Sequence, residues 1–198
     1  MPTGVALRDA REQLFAAAER VMLREGSSAL TSRAVTAEAG VAKGVLHRHF
    51  ADFDDFLCSL VLDHITRIEQ QRQALLVKAG TGTVTGNLAT ALTELFTPVV
   101  LGLVGLVISR DGLRQQLRHV GTARVPLLGE ATAMIRDYLA AERNLRRLAD
   151  YADPASLAPT LAGAAHLLLT DREGVPTPEA LGNSVSAVID SAVRHPDA

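Results

Sequence analysis

The chain has 198 residues, a length that fits one or two compact domains and is long enough to bury a core. Ala, Leu and Val dominate and strand-like alternation is almost lacking, so the composition favours an all-α protein over β or mixed folds. The formal net charge of −2 argues against a chain that binds polyanions nonspecifically along its whole surface. The single cysteine, Cys58, excludes an intrachain disulfide and favours a reducing compartment.

The charge is unevenly distributed along the chain. Residues 1–51 hold seven Lys and Arg against five Asp and Glu, a net of +2, which leaves −4 for residues 52–198. A basic end on an acidic body favours docking on DNA by that end. The N-terminus has no apolar signal stretch, and the apolar run 99–108 is shorter than the ~20 residues that a membrane-spanning helix needs. We therefore predict a cytoplasmic protein with no membrane association.

The first helix is predicted from Leu7 to Arg24, with Gly26 ending it. Its apolar residues recur at helical spacing and are expected to cover the back of the following segment. They are Leu7, Ala10, Leu14, Ala18 and Val21. Arg8 or Arg11, at the start of this helix, could contact a phosphate.

The segment from Leu30 to Phe56 has the pattern of two short helices joined by a tight turn. Thr31 is a predicted N-cap of a helix over 32–39, because its hydroxyl can accept an orphan backbone N–H. Gly40 is expected to take the left-handed conformation that ends this helix. A second helix is predicted over 42–49. Four apolar residues are expected to lie inside the corner between the helices: Val35, Ala39, Val41 and Leu46.

The outward face of this pair carries hydrogen-bond donors that have no core to pack into. The residues on the second helix are Lys43, Gly44, Val45, His47, Arg48 and His49. The DNA major groove admits such a helix, where basic side chains reach phosphates or guanine and a short apolar group suits a thymine methyl. Ser32 and Arg33 are predicted to hold the phosphate backbone. The alternative is a solvated helix corner with an ordinary polar face.

The same residues resemble the DNA-binding domain of the TetR family of bacterial transcriptional regulators. The likeness is most specific from Glu38 to Leu46, and it continues through His49-Phe50 and the acidic segment 53–57. Thr36 stands where the family usually has Ala and His47 where it usually has Tyr. The Lys that often follows the aromatic pair is absent, which bears on affinity and preferred sequence. The resemblance implies a homodimer on double-stranded DNA, more often a repressor.

The fourth helix is predicted from Asp52, its N-cap, to Lys78. At 1.5 Å per residue it would be about 40 Å long and would join a helix-turn-helix domain over 1–51 to a regulatory and dimerisation domain over 52–198. This makes it the mechanical link between the two. His64 lies on its apolar face, where a buried, hydrogen-bonded core histidine is the alternative to a ligand contact.

The remaining chain is predicted to be helical, giving an all-α protein of about nine helices. A loop is expected over 79–86 and a helix over 87–108, kinked at Pro98. A turn over 109–112, a short helix over 113–119 and a longer helix over 126–147 should follow. Two final helices are predicted over 154–170 and 178–194, each with a proline in its first turn after a cap, Asp153 and Thr177 respectively.

The final two helices carry apolar stripes at helical spacing. The resemblance implies that they form a four-helix dimer interface with a second copy of the chain. The interface residues so assigned are Leu157, Leu161, Ala165, Leu168, Leu181, Val185, Val188 and Ile189. The alternative is that both stripes only close the core of one chain.

A mostly apolar effector pocket is predicted between the fourth helix, the kinked helix and the helix over 126–147. Its candidate residues are His64, Phe96, Leu103, Val107, Arg110, Leu117, His119, Met134 and Tyr138. Arg110, His64 and His119 are the candidate polar anchors. Low aromatic content argues against stacking on a planar compound, so a flexible lipophilic effector is the expectation. Close packing without a pocket remains the alternative.

The leading functional hypothesis is a ligand-responsive transcriptional regulator, and two alternatives stay open. One is a DNA-binding dimer without an effector, because pocket-lining and core residues look alike in a sequence. The other is a helical enzyme. Against an enzyme, the sequence has no Gly-rich phosphate loop, no Gly-x-Ser-x-Gly elbow and no Cys or His spacing suited to zinc, so no cofactor or metal is predicted.

Overall fold

The computed structural model describes residues 4–170 and 178–194, with side chains for 10–170 and 180–194. This part of the chain contains ten α-helices and no strand, apart from an isolated bridge between Leu148 and Val193. The helices are α1 Gly4–Glu25, α2 Ser32–Glu38, α3 Gly44–His49, α4 Phe53–Val77, α5 Val84–Leu95, α6 Pro98–Ser109, α7 Asp111–His119, α8 Leu128–Asn144, α9 Pro154–Thr170 and α10 Pro178–Ile189. The predicted all-α fold is confirmed.

The chain forms two compact units. The first comprises 1–64 and 98–126, and the second comprises 65–97 and 127–198. Helix α4 runs through both, since the division falls between His64 and Ile65. A domain boundary between residues 51 and 52 stays a prediction.

In the first unit, α1 packs against α2, α3 and α6. Leu14, Ala18 and Val21 of its predicted stripe are buried. Gly102 of α6 lets that helix approach α1, because a Cβ there would lie 2.8 Å from the Met22 side chain. Cys58 is buried in the apolar face of α4, and burial raises the pKa of its thiol, as suits a packing role.

In the second unit, α8 packs on α9, and α10 packs on both α5 and α9. The largest fully buried side chain is Tyr138 on α8. Its hydroxyl donates to Glu142, a fully buried carboxylate, at 2.5 Å. Glu142 also accepts from Arg147 at 3.1 Å and from the backbone N–H of Gly80 at 3.3 Å. The carboxylate therefore ties the loop before α5 to the end of α8.

The predicted helix starts at Thr31, Asp52 and Asp153 are confirmed. Each side chain accepts a backbone N–H of the following first turn: Ala34 at 3.1 Å, Asp55 at 2.7 Å and Ser156 at 3.1 Å. The predicted cap at Thr177 lies outside the described residues.

The predicted kinked helix over 87–108 is wrong, because the chain breaks into α5 and α6. Pro98 is the first residue of α6, where its missing N–H is not needed. Its ring also disfavours the helical conformation at Thr97, so α5 ends before it. The extra helix brings the described total to ten instead of the predicted nine.

Other boundaries shift by one to five residues. α1 is longer than predicted, and α5 begins at Val84, inside the predicted loop. Only Arg110 separates α6 from α7, so the predicted turn over 109–112 is absent. The helix predicted over 126–147 ends at Asn144, where Arg146 takes a left-handed φ of 60°. Helix α10 ends at Ile189 and a short 3₁₀ turn replaces its predicted last residues.

Within the described residues, no single helix has both the length and the apolar character to cross a membrane. Helices α5 and α6 reach that threshold only when they are counted together across their break.

Candidate nucleic-acid interface

Two threonine hydroxyl groups, at the N-cap and inside the helix, form hydrogen bonds with the backbone of helix α2. Thr31 caps it, and Val35 is fully buried against the rest of the first unit. Thr36, which replaces the usual alanine of the resembled family, is also buried. Its hydroxyl donates to the backbone carbonyl of Ser32 at 2.9 Å, so the extra polar atom is satisfied inside the helix.

The turn between α2 and α3 depends on Gly40, whose φ of 67° favours glycine. The N–H of Gly40 donates to Ala37 at 3.1 Å, and the N–H of Val41 donates to Thr36 at 3.0 Å. These two bonds satisfy the last carbonyls of α2 and turn the chain sharply. The predicted role of Gly40 is confirmed.

Helix α3 is anchored by one fully buried side chain, and its other residues are exposed or half-buried. Leu46 is fully buried, and Val35 faces the same core. The other two predicted corner residues, Ala39 and Val41, are half-buried. The outward residues sort by exposure as follows: Lys43, Gly44, His47 and Arg48 are exposed, and Val45 and His49 are half-buried.

The C-terminal end of α3 is held by Arg11 and an aromatic cluster. The Arg11 guanidinium lies 4.5 Å from the centroid of the Phe50 ring, and it donates to the backbone carbonyl of His49 at 3.5 Å. Phe50 packs edge-on against Phe56 at 5.1 Å and beside Phe15 at 6.0 Å. Arg11 therefore helps to position α3, a contact that no sequence pattern indicated, and its contact with a phosphate stays a prediction. The Arg8 side chain lies outside the described residues.

Helix α1 is tied to α2 through Glu38. Its two carboxylate oxygens accept from Arg20 at 2.7 Å and from Arg24 at 2.9 Å. These hydrogen bonds, first that of Arg20 and then that of Arg24, hold the pKa of Glu38 below its usual value. The i, i+4 spacing of the two arginines on α1 was a signal that could have indicated a shared acidic partner.

These contacts divide the basic residues of the head, which we define as residues 10–50, into two groups. Arg11, Arg20 and Arg24 are committed to partners inside it. Among the described residues, the side chains of Arg33, Lys43 and Arg48 have no ion pair and are exposed. The uncommitted positive charge of the head thus lies on α2, on the turn and on α3.

The two predicted phosphate contacts on α2 differ. The Arg33 side chain is exposed. The Ser32 hydroxyl is shielded from solvent and has no hydrogen-bond partner in the described part of the chain. Of this pair, only Arg33 presents its side chain outward.

The nine predicted effector residues are divided between the two units. Phe96, Met134 and Tyr138 are buried in the second unit. The first unit holds the buried residues His64, Leu103, Val107 and Leu117, the half-buried Arg110 and the exposed His119.

All three candidate polar anchors already have partners. His64 hydrogen bonds Glu19 at 3.1 Å, as the core-histidine alternative predicts. Arg110 pairs with Asp54 at 3.3 Å and lies 5.9 Å from the centroid of the Phe53 ring. His119 bonds the backbone carbonyl of Gln115 at 2.7 Å. In the described part of the chain, no group of three or more His, Cys, Asp or Glu is placed to hold a metal ion.

The predicted dimer residues mostly pack within one chain. Five of them are buried: Leu161, Ala165, Leu181, Val185 and Ile189. The other three, Leu157, Leu168 and Val188, are half-buried. Both stripes thus contribute to the core of the second unit, while their predicted interface with a second chain stays a prediction. The outward face of α9 consists of neighbouring residues. That face has Ala155, Pro159, Gly163 and Leu167 at four-residue spacing, all exposed.

Comparisons with known proteins agree on the head and on the fold. Residues 14–57 match the model of bacterial regulatory proteins of the tetR family. The Escherichia coli NemR structure in its reduced form is 19% identical, with 96% of this chain and 100% of that chain covered and a TM-score of 0.73. A transcriptional regulator from Rhodococcus sp. Rha1 is 16% identical, with coverage of 94% and 99% and a TM-score of 0.71.

A third structure is SmeT, the repressor of the Stenotrophomonas maltophilia multidrug efflux pump SmeDEF. It is 17% identical, with coverage of 94% and 91% and a TM-score of 0.64. No curated protein sequence matches the chain significantly.

A helix-turn-helix whose outward face carries uncommitted positive charge, on an all-α body, defines a DNA-binding regulator. The family match over 14–57 and the shared fold indicate which kind of DNA-binding regulator the chain resembles. Residues 14–57 carry the match to bacterial regulatory proteins of the tetR family, and the chain as a whole shares the fold of the three solved regulators.

Proposed function

We propose that the chain is a homodimeric repressor that binds a near-palindromic operator in the cytoplasm and is released by a small lipophilic effector. The observation that carries the DNA-binding part is the exposed, unpaired charge of Arg33, Lys43 and Arg48 beside the buried anchor Leu46. A helix held by its inner face can enter the major groove without losing its own packing. Repression is supported by likeness to SmeT, which is a repressor.

The α3 assignment is tested on the operator selected by the parent protein from random duplex DNA. A Lys43→Ala, His47→Ala double variant should bind that operator at least tenfold more weakly, because one base contact contributes about 1–3 kcal/mol. The matched control is Lys78→Ala, His119→Ala, since both residues are exposed and lie outside the head. Fluorescence anisotropy measures both affinities. Equal affinities for the two variants would overturn the assignment.

Dimerisation supports the same function, because one helix-turn-helix reads few base pairs and two heads on a two-fold axis read a palindrome. We place the dimer contact on the outward face of α9, where Leu167 is 68% exposed. The small residues Ala155 and Gly163 on that face allow a second helix to approach closely.

Leu167→Glu should therefore give monomers in sedimentation velocity, because it places a charge in the proposed contact. Val77→Glu is the matched control, since Val77 is 84% exposed at the end of α4. A dimer that persists in Leu167→Glu would move the interface elsewhere. Leu161 and Val185 are unsuitable for this test, because they are buried and a charge there would also destabilise the fold of the single chain.

The effector part is supported by the apolar interior and by the committed polar anchors. His64, Arg110 and His119 each have a partner in the chain. An effector that binds beside them gains little from new hydrogen bonds, which favours a lipophilic compound. It can release DNA only through a difference in affinity between the two states of the protein.

Native mass spectrometry of the purified protein, followed by operator release with any compound found, tests this part. A compound that binds but leaves operator affinity unchanged would favour the alternative, a DNA-binding dimer without an effector.

A further inference from the structure

A cavity of about 500 Å³ opens in the second unit at the start of α5. It has three walls: the loop and first turn of α5, two residues that follow α8, and two residues near the C-terminal end of the described chain. The lining residues are Gly82, Thr83, Val84, Thr85, Arg146, Arg147, Val193 and Arg194. Three of these eight residues are arginines, which is an unusual concentration of positive charge in a chain whose net charge is −2.

Local backbone structure brings the arginines together. At the end of α8, the N–H of Arg146 donates to Arg143 at 2.9 Å and that of Arg147 donates to Glu142 at 3.0 Å. These bonds turn the chain out of the helix at once. The bridge between Leu148 and Val193, together with the bond from the N–H of Arg194 to Arg147 at 2.9 Å, then places Arg194 beside this turn.

The three guanidinium groups are not equally committed. Arg147 is bound to the buried Glu142 at 3.1 Å and to the backbone carbonyl of Gly82. Arg194 pairs at 2.8 Å with Asp150, whose side chain is 96% exposed, and such surface pairs are weak. Arg146 is exposed and has no side-chain partner among the described residues.

The wall formed by the loop and first turn of α5 adds backbone donors. The Thr83 hydroxyl accepts from the N–H of Gly86 at 3.1 Å, and the N–H groups of Val84 and Thr85 belong to the first turn of a 12-residue helix. The positive end of a helix of this length favours an anion. One acid lies on this side, since Asp190 accepts from the Thr85 hydroxyl at 3.4 Å.

Arg146 occupies a backbone position that favours glycine. Its φ of 60° is left-handed, and glycine is the usual residue at the position after a helix that ends in this way. Arginine there is less favourable for the fold alone than glycine would be. We therefore attribute the arginine at this position to a role of its side chain and not to a requirement of the backbone.

We propose that this cavity binds a small anion. The carboxylate or phosphate group is held by Arg146 and Arg194 and faces the first turn of α5, and the apolar part of the ligand lies against Val193. Arg147 is the positioning residue of the site, because its bond to Glu142 fixes the turn that carries Arg146. This site is distinct from the effector residues predicted from the sequence, and it does not depend on DNA binding.

The test is isothermal titration calorimetry on the full chain with phenyl phosphate and, separately, benzoate, with benzyl alcohol as the uncharged comparison. We expect saturable binding of at least one anion at one site per chain and none of benzyl alcohol. The anion that binds more tightly distinguishes a phosphate from a carboxylate ligand. Failure of both anions to saturate the site would overturn the proposal.

Two matched charge variants locate the binding. Arg146→Gln should weaken binding about tenfold or more, as expected when a hydrogen bond between two charged groups is lost. Arg143→Gln removes the same charge from an exposed position three residues earlier and outside the cavity, and it should bind as the parent does. Equal affinities for the two variants would overturn the assignment.

A glycine variant separates a binding role from a structural one. Arg146→Gly should lose binding while its thermal midpoint rises by a few degrees, because the left-handed backbone is no longer strained. A fall in the midpoint together with the loss of binding would show that Arg146 serves the fold, and would overturn its role as a ligand-binding residue.

Discussion

Glu38 in the head and Glu142 in the second unit both accept hydrogen bonds from arginine, but in opposite surroundings. Glu38 is 19% exposed and its partners Arg20 and Arg24 are 51% and 55% exposed. Glu142 is fully buried and accepts from three groups. A carboxylate at the surface is solvated with or without its partners, whereas a buried one depends on every donor. The same pair of residue types therefore contributes little to stability in one unit and is an essential contact in the other.

The largest effect is expected for Glu142→Ala. It leaves the Arg147 guanidinium, the Tyr138 hydroxyl and the Gly80 N–H without their acceptor. Breaking a buried pair in this way lowers the free energy of unfolding by about 3–5 kcal/mol. Urea unfolding measures the loss, with Glu94→Ala on the exposed face of α5 as the control. A loss no larger than that of the control would remove the contrast between the two carboxylates.

Tyr138→Phe should have the next largest effect. It removes one donor to Glu142 and one acceptor of Asn87, a loss of about 1–3 kcal/mol in the free energy of unfolding.

The pH dependence of the difference in free energy of unfolding between the parent and Tyr138→Phe is a second measurement. Burial, and then the bond to Glu142, raises the pKa of Tyr138 far above its usual value. The stabilisation is therefore complete below about pH 10, where the unfolded tyrosine ionises, and is lost above it. The difference between parent and variant should narrow above that pH. A constant difference would show that Tyr138 ionises equally in both states.

Thr31→Ala should lower the free energy of unfolding by about 1 kcal/mol, because the N–H of Ala34 loses its acceptor. Thr83→Ala is the equivalent change in the second unit, where Thr83 accepts from Gly86 at 3.1 Å. Chemical denaturation followed separately in each unit would show whether the two caps stabilise their own unit alone. A negligible effect of both variants would mean that neither cap contributes to stability.

The smallest effect is expected for Glu38→Gln, because its partners are solvated. The pKa of Glu38 is lowered, first by the Arg20 hydrogen bond, so its contribution is present above the unfolded value of about 4.3 and is lost as the pH falls through the folded value. Thermal unfolding at neutral and acidic pH should show a small difference that disappears in acid. A large difference in stability that persists in acid would mean that Glu38 contributes as much to stability as the buried Glu142 does.

The elements that the sequence predicted well are those governed by neighbouring residues. The caps at Thr31, Asp52 and Asp153 and the turn at Gly40 follow from one side chain or one φ angle acting within four residues. The outward face of α3 follows from its periodicity, because one buried apolar side chain, Leu46, holds this short helix to the core.

The wrong prediction at Pro98 came from a competition that local rules leave open. A proline inside an apolar run can kink one helix or begin another, and the conformation of Phe96 and Thr97 decides between them. Likewise, the apolar stripes of α9 and α10 were visible in the sequence. Which side of each stripe packs within one chain depends on α8 and α5, which contact them.

The sequence by itself determined the all-α class, the helix-turn-helix and its basic face, because these follow from periodicity, capping and residue type along a few consecutive turns. Only the tertiary structure decided that Arg11 holds α3, that Glu142 is buried, and that Arg146 and Arg194 line one cavity. Each of these depends on residues 38 to 62 positions apart in the sequence, or on a bridge between segments about as distant. A single charged side chain such as Arg11, Glu142 or Arg146 carries no periodic signal that would reveal such a partner.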